Sequence, residues 1–118
     1  MSVGVVGSGE NALALLPIIR KRNINDIGKL CDYNGMVKHA LILQSQYLAK
    51  KIHQALNCCG VTKTDFLIDN VGNLWAIETD AMPSLTMNSA VGMGAEKIGI
   101  LYKQLILDII ENSYESKK

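Results

Sequence analysis

The stretch Lys63–Ser89, KTDFLIDNVGNLWAIETDAMPSLTMNS, decides how this chain reads. Phe66 and Ile68 alternate with Asp65, Leu67 and Asp69, the period-two pattern of a strand. Asp69-Asn70-Val71-Gly72-Asn73 is turn chemistry, with Gly72 free to adopt a positive φ. Leu74 to Thr79 predicts a second strand, with Trp75 and Ile77 on one face. Glu78 and Asp80 are two residues apart, so an extended chain points both the same way. If the strands pair across the turn, Asp65 joins them. Three carboxylates on one face repel one another unless a cation sits among them. A solvated sheet edge, studded with acids against edge pairing, would carry the same spacing. Spacing alone leaves both readings open.

Working outward, 118 residues predict a single domain over 1–118, long enough to bury roughly two-thirds of its unfolded surface. The 48% hydrophobic and 19% charged content is that of a globular protein. A net charge of +1 with no basic block argues against nucleic acid as a partner. The aromatics other than Trp75 are not interleaved with Lys or Arg, so no base-stacking surface is expected. No charged leader precedes an apolar run, and Ala12 to Ile19 is too short to span a membrane and contains Pro17. The expectation is a cytoplasmic protein. Neighbouring Cys58 and Cys59 lack Cys-x-x-Cys spacing and read as buried thiols in a reducing compartment.

Val3 to Val6 followed by Gly7-Ser8-Gly9-Glu10-Asn11-Ala12 fits the glycine fingerprint of dinucleotide-binding turns. That motif requires a following helix, and Pro17 would remove a backbone donor from its second turn. A hairpin between two strands accounts better for the glycines. Residues 20–37 are polar with little periodicity and read as mostly loop. A helix is expected from Lys38, with Leu41, Leu48, Ile52, Ala55 and Leu56 as its apolar stripe. Lys50, Lys51, His53 and Gln54 would then face solvent, and Gly60 would cap the end. A second helix is expected over Ala95–Asn112, burying Ile98, Leu101, Tyr102, Leu105 and Ile109. The predicted fold class is α+β: a small antiparallel sheet with two helices packed on one face.

Lys63-Thr64-Asp65-Phe66, the hairpin, Glu78-Thr79-Asp80-Ala81-Met82-Pro83-Ser84-Leu85-Thr86 and Ser89 together resemble the metal-binding end of the D-alanine–D-alanine ligases, members of the ATP-grasp superfamily. In that family the run is Arg-x-Asp-Phe, a hairpin, Glu-Ile-Asn-Thr-x-Pro-Gly-Met-Thr and a later Ser. Upstream, Asn57-Cys58-Cys59-Gly60-Val61 resembles the family's Leu-Gly-Cys-x-Gly, and Asp32-Tyr33 its Tyr-Asp-Tyr. The resemblance covers nearly the whole chain but only the C-terminal part of a ligase. It implies the C-terminal half of an ATP-grasp fold, ATP and D-alanine as ligands, and a role in making peptidoglycan precursors for the cell wall. It also implies Mg2+ (or Mn2+) at Asp65, Glu78 and Asp80, with Lys63 as the catalytic cation and Ser84 and Ser89 against substrate.

Four departures stand out. Lys63 replaces Arg, keeping the charge and losing the planar fork. Asp80 replaces Asn, Ser84 replaces Gly, and Met36-Val37 stand where the family has Lys-Tyr. The family's N-terminal domain and the front of its ATP site have no counterpart in these residues. The expectation is therefore a ligase part that is either inactive by itself or completed by a complementing N-terminal chain. The alternative is a non-catalytic remnant that serves as a small self-associating module, a homo-oligomer burying the face of Leu74 and Ala76 or the strand at Val3 to Val6.

Overall fold

The computed structural model describes residues 1–19 and 39–115. The readings at Asp32-Tyr33 and Met36-Val37 and the loop over 20–37 lie outside them. Strands β1 (Ser2–Val6), β2 (Leu13–Ala14), β3 (Val61–Ile68) and β4 (Leu74–Asp80) form one antiparallel sheet in the order β2-β1-β3-β4. Helix α1 (His39–Ala55) lies between β2 and β3, and α2 (Ala90–Lys97) and α3 (Tyr102–Glu115) follow β4. The α+β class and the antiparallel sheet agree with the sequence. The distribution of helices does not.

The sheet is covered on both faces, because β1 is apolar on both. Val3 and Val5 point to one side and pack with Ala49 of α1 and with Phe66. Val6 packs on the other side with Val61, Val91, Ala95, Leu105 and Ile109 of the C-terminal helices. A strand buried on both faces has no alternation to read, so sequence could not announce two layers. β1 is also interior to the sheet, and Val3 to Val6 offer no free edge for self-association. Among the described residues the strands at the two ends of the sheet are β2 and β4.

Helix α1 docks through polar atoms as much as through its apolar stripe. Four of its side chains donate to carbonyls of the β1–β2 hairpin and the segment after it. Gln46 reaches Leu15 O at 3.1 Å, Lys50 reaches Glu10 O at 3.3 Å and Gln54 reaches Glu10's neighbour Gly9 O at 2.9 Å. His53 is the fourth, 2.8 Å from Gly7 O, with its Nδ1 2.7 Å from Thr62 Oγ1. A carbonyl only accepts, so Nε2 carries the proton and Nδ1 takes the Thr62 hydroxyl hydrogen. His53 is therefore completely buried, not solvated, and Ala55 and Leu56 are exposed instead. The buried stripe is Ser45, Ala49 and His53, small or satisfied residues at fourfold spacing.

Two helix ends also differ from expectation. Asn57, at φ 55, occupies the left-handed cap position after α1. Asn57 N–H returns to Gln54 O and Cys58 N–H to His53 O, the paired bonds of a Schellman cap. Gly60 makes a separate turn into β3, at φ 89. The single helix expected over 95–112 is two helices, parted near Gly99 at φ 87. Leu105 and Ile109 are buried as expected, whereas Ile98, Leu101 and Tyr102 are exposed. No helix among the described residues is long and apolar enough to cross a membrane.

Candidate functional site

Pairing of β3 with β4 fixes the face on which the acids lie. The register is Lys63↔Asp80, Thr64↔Thr79 and Asp65↔Glu78. Residues 63 and 65 alternate with buried Thr62, Thr64 and Phe66, so Lys63, Asp65, Glu78 and Asp80 share one face of the hairpin. On the opposite face a Thr64–Thr79 hydroxyl pair at 2.9 Å holds the two strands in this register. The acidic face thus has a net charge of two negatives, with the Lys63 ammonium 3.4 Å from Asp65 Oδ2.

A bulge then changes what sits beside the acids. Beyond Asp65 the pairing becomes Phe66↔Ala76 and Leu67↔Trp75, leaving Ile77 as the extra residue. Trp75 is three residues from Glu78, a spacing that a regular strand would place on opposite faces. With the bulge, both lie on the same one. Trp75, Leu67 and Ile77 are each more than half exposed and form an apolar patch next to the carboxylates. Sequence reasoning missed this patch because one extra residue in a strand leaves no mark on periodicity.

The side chains are partly committed already. Asp65 Oδ1 accepts the Ser2 hydroxyl at 2.6 Å, and Asp80 Oδ1 accepts Met82 N–H at 2.8 Å. Glu78 is exposed. Among the described residues no three of His, Cys, Asp or Glu close into a group able to hold a metal ion. The three acids share a face without converging on one point. Magnesium takes only one or two carboxylates and fills its octahedron with water and phosphate oxygens. The opposed Asp65 and Glu78 fit that smaller demand, and the donor set is all oxygen.

Ser89 and Ser84 fall on the connection from β4 to α2. Ser89 is the N-cap of α2: its Oγ accepts Gly92 N–H at 3.1 Å and donates to Thr86 O at 2.6 Å. The sequence reading starts this helix at Ala95 and does not take Ser89 as its cap. Ser84 is exposed on the same loop. This loop wraps tightly on α2, since a Cβ at Gly92 would run into Thr86 O and come within 2.9 Å of Met87 O. The other motif from the sequence, the glycine turn at residues 7–12, is the connection of the β1–β2 hairpin and holds a short 3-10 turn at Gly9–Asn11. Its carbonyls face α1, so it presents acceptors where a phosphate would need donors.

Comparison with known proteins gives the same direction. The family model described as D-ala D-ala ligase C-terminus matches residues 2–111. The D-alanine–D-alanine ligase of Caulobacter vibrioides is 29% identical over 124 residues, covering 97% of this chain and 38% of that protein. That of Caulobacter sp. strain K31 is 30% identical over the same length, with the same coverage. Among solved structures, the ligase from Coxiella burnetii has a TM-score of 0.77 at 20% identity, covering 98% of this chain and 30% of its own. The Bacillus anthracis ligase complexed with ATP has a TM-score of 0.67 at 19% identity, covering 98% and 37%. At such identities the structural likeness speaks for the fold alone. The chain spans 38% of the length of these Caulobacter relatives.

Proposed function

The chain belongs to the family described as D-ala D-ala ligase C-terminus, and from that premise we propose that it supplies the magnesium-holding part of an ATP-dependent D-alanine–D-alanine ligase. The observation that carries the proposal is the direct opposition of Asp65 and Glu78 across β3 and β4, on the open face of the hairpin.

In this reading Asp65 and Glu78 hold a magnesium ion, with Asp80 on the same face. When bound, the ion neutralises charge on the phosphates of ATP. Lys63 supplies a positive charge where the family uses Arg, to steady the developing oxyanion. It stands ready beside Asp65. Ser89 binds a substrate carboxylate by exchanging its bond to Thr86 O, and Ser84 sits on the same loop against substrate. Catalysis then requires the part of a ligase that these 118 residues do not include, on the same polypeptide or another. The apolar patch of Leu67, Trp75 and Ile77 beside the acids is the surface such a part would cover.

Manganese is a direct test, because it replaces magnesium at oxygen sites and broadens nearby NMR signals. Submillimolar Mn2+ is expected to broaden the amides of Asp65 and Glu78 first, and Glu78→Gln to remove the effect. Broadening centred elsewhere, or unchanged in Glu78→Gln, would overturn the assignment.

A further inference from the structure

Cys58 and Cys59 are accessible, the first half-buried and the second exposed, and not the buried thiols expected from sequence. Their loop is held at both ends. Asn57 and Cys58 N–H groups bond back into α1 at 3.0 Å each, and Gly60 O accepts Gly7 N–H at 2.8 Å. Among the described residues each sulfur has a long contact, 3.9 Å, to a carbonyl two residues upstream, Leu56 O for Cys58 and Asn57 O for Cys59. Burial, and next the neighbouring Cys59, push the Cys58 thiol up from its ordinary value.

Adjacent thiols on a fixed backbone favour some chemistries over others. Structural zinc takes four protein ligands, and among the described residues no three His, Cys, Asp or Glu come together. A disulfide must bring the sulfurs to about 2.05 Å and the Cβ atoms to about 3.8 Å, a strained demand on neighbours whose backbone the cap holds. A trivalent centre that accepts two sulfurs closes a ring one atom larger and needs no third protein ligand. We propose that Cys58 and Cys59 form a dithiol site for trivalent arsenicals, both sulfurs bonding one arsenic.

With an aryl arsenoxide the step balances without redox change. Two As–S bonds replace the arsenic–oxygen bonds, both thiol protons pass to the oxygen, and one water leaves. Arsenic stays trivalent. The held loop lowers the ordering cost of capture, because both sulfurs start on a fixed backbone.

Intact-mass spectrometry of the chain with phenylarsine oxide, in excess mercaptoethanol, tests this. One phenylarsenic adduct is expected to survive the monothiol and to be released by dimercaptopropanol. Cys31→Ser should keep it, and Cys58→Ser and Cys59→Ser should each lose it. Cys58→Ala, which adds no polar group to a half-buried position, carries the test if serine unfolds the loop. A wild-type chain with no surviving adduct, or an adduct that survives in Cys59→Ser, would overturn the proposal.

Discussion

Asp69 shows how much one side chain does at the tip of the hairpin. Its Oδ1 accepts the N–H groups of Val71 and Asn73 at 3.0 and 2.9 Å, and its Oδ2 accepts the Trp75 indole N–H at 3.0 Å. The Trp75 bond is the largest influence on its carboxyl, the Asn73 bond the next, and together they hold the pKa down to about 2 from 3.8. A depressed carboxylate contributes stability that is present above its unfolded value and lost as pH falls through its folded one. The tip should therefore loosen between about pH 4 and pH 2. Trp75 is the only tryptophan, so its fluorescence should report the change, and Asp69→Asn should abolish that step. An identical acid transition in Asp69→Asn would contradict this role. At this scale the acids were legible, because alternation along a strand is a local rule that places Asp65, Glu78 and Asp80 together. His53 was not. Its partners, Thr62 Oγ1 and Gly7 O, come from distant segments, and a histidine without acids or thiols at ligand spacing reads as solvated.

Elements were legible where one rule decided them and illegible where two competed. The hairpin announced itself through alternation and turn residues. Helix α2 did not, because the glycines in AVGMGAEK lower helix propensity. The structure uses those glycines for close approach: a Cβ at Gly94 would lie 2.7 Å from Leu16 O, and one at Gly92 would collide with Thr86 O. Gly92→Ala gains about 1 kcal/mol of helix propensity and loses more to overpacking, typically about 1–3 kcal/mol. Urea unfolding should show net destabilisation, and a more stable variant would refute the close packing. The cap after α1 permits a second test. Asn57 holds a left-handed conformation that costs a β-branched residue about 1–2 kcal/mol, so Asn57→Val should lower the unfolding free energy by that amount. No change would mean that the cap is not held in solution.

On the scale of the whole molecule, the fold is a ligase's C-terminal unit with its acid-bearing face open. That face carries charge and a patch of exposed Leu67, Trp75 and Ile77. The family was legible from the Lys63–Ser89 block because its residue types are tied to chemistry. The second layer of helices was not, since packing on both faces of β1 is a property of the assembled sheet. Positioning of reactants typically supplies about 7–11 kcal/mol of barrier reduction, and in the function proposed above that positioning falls to the rest of a ligase. The direct measurement is phosphate release from the purified 118-residue chain with ATP, magnesium and D-alanine. Release is expected at background, with and without D-alanine. D-alanine-dependent release that Glu78→Gln abolishes would contradict it, and would make these residues a ligase sufficient in themselves.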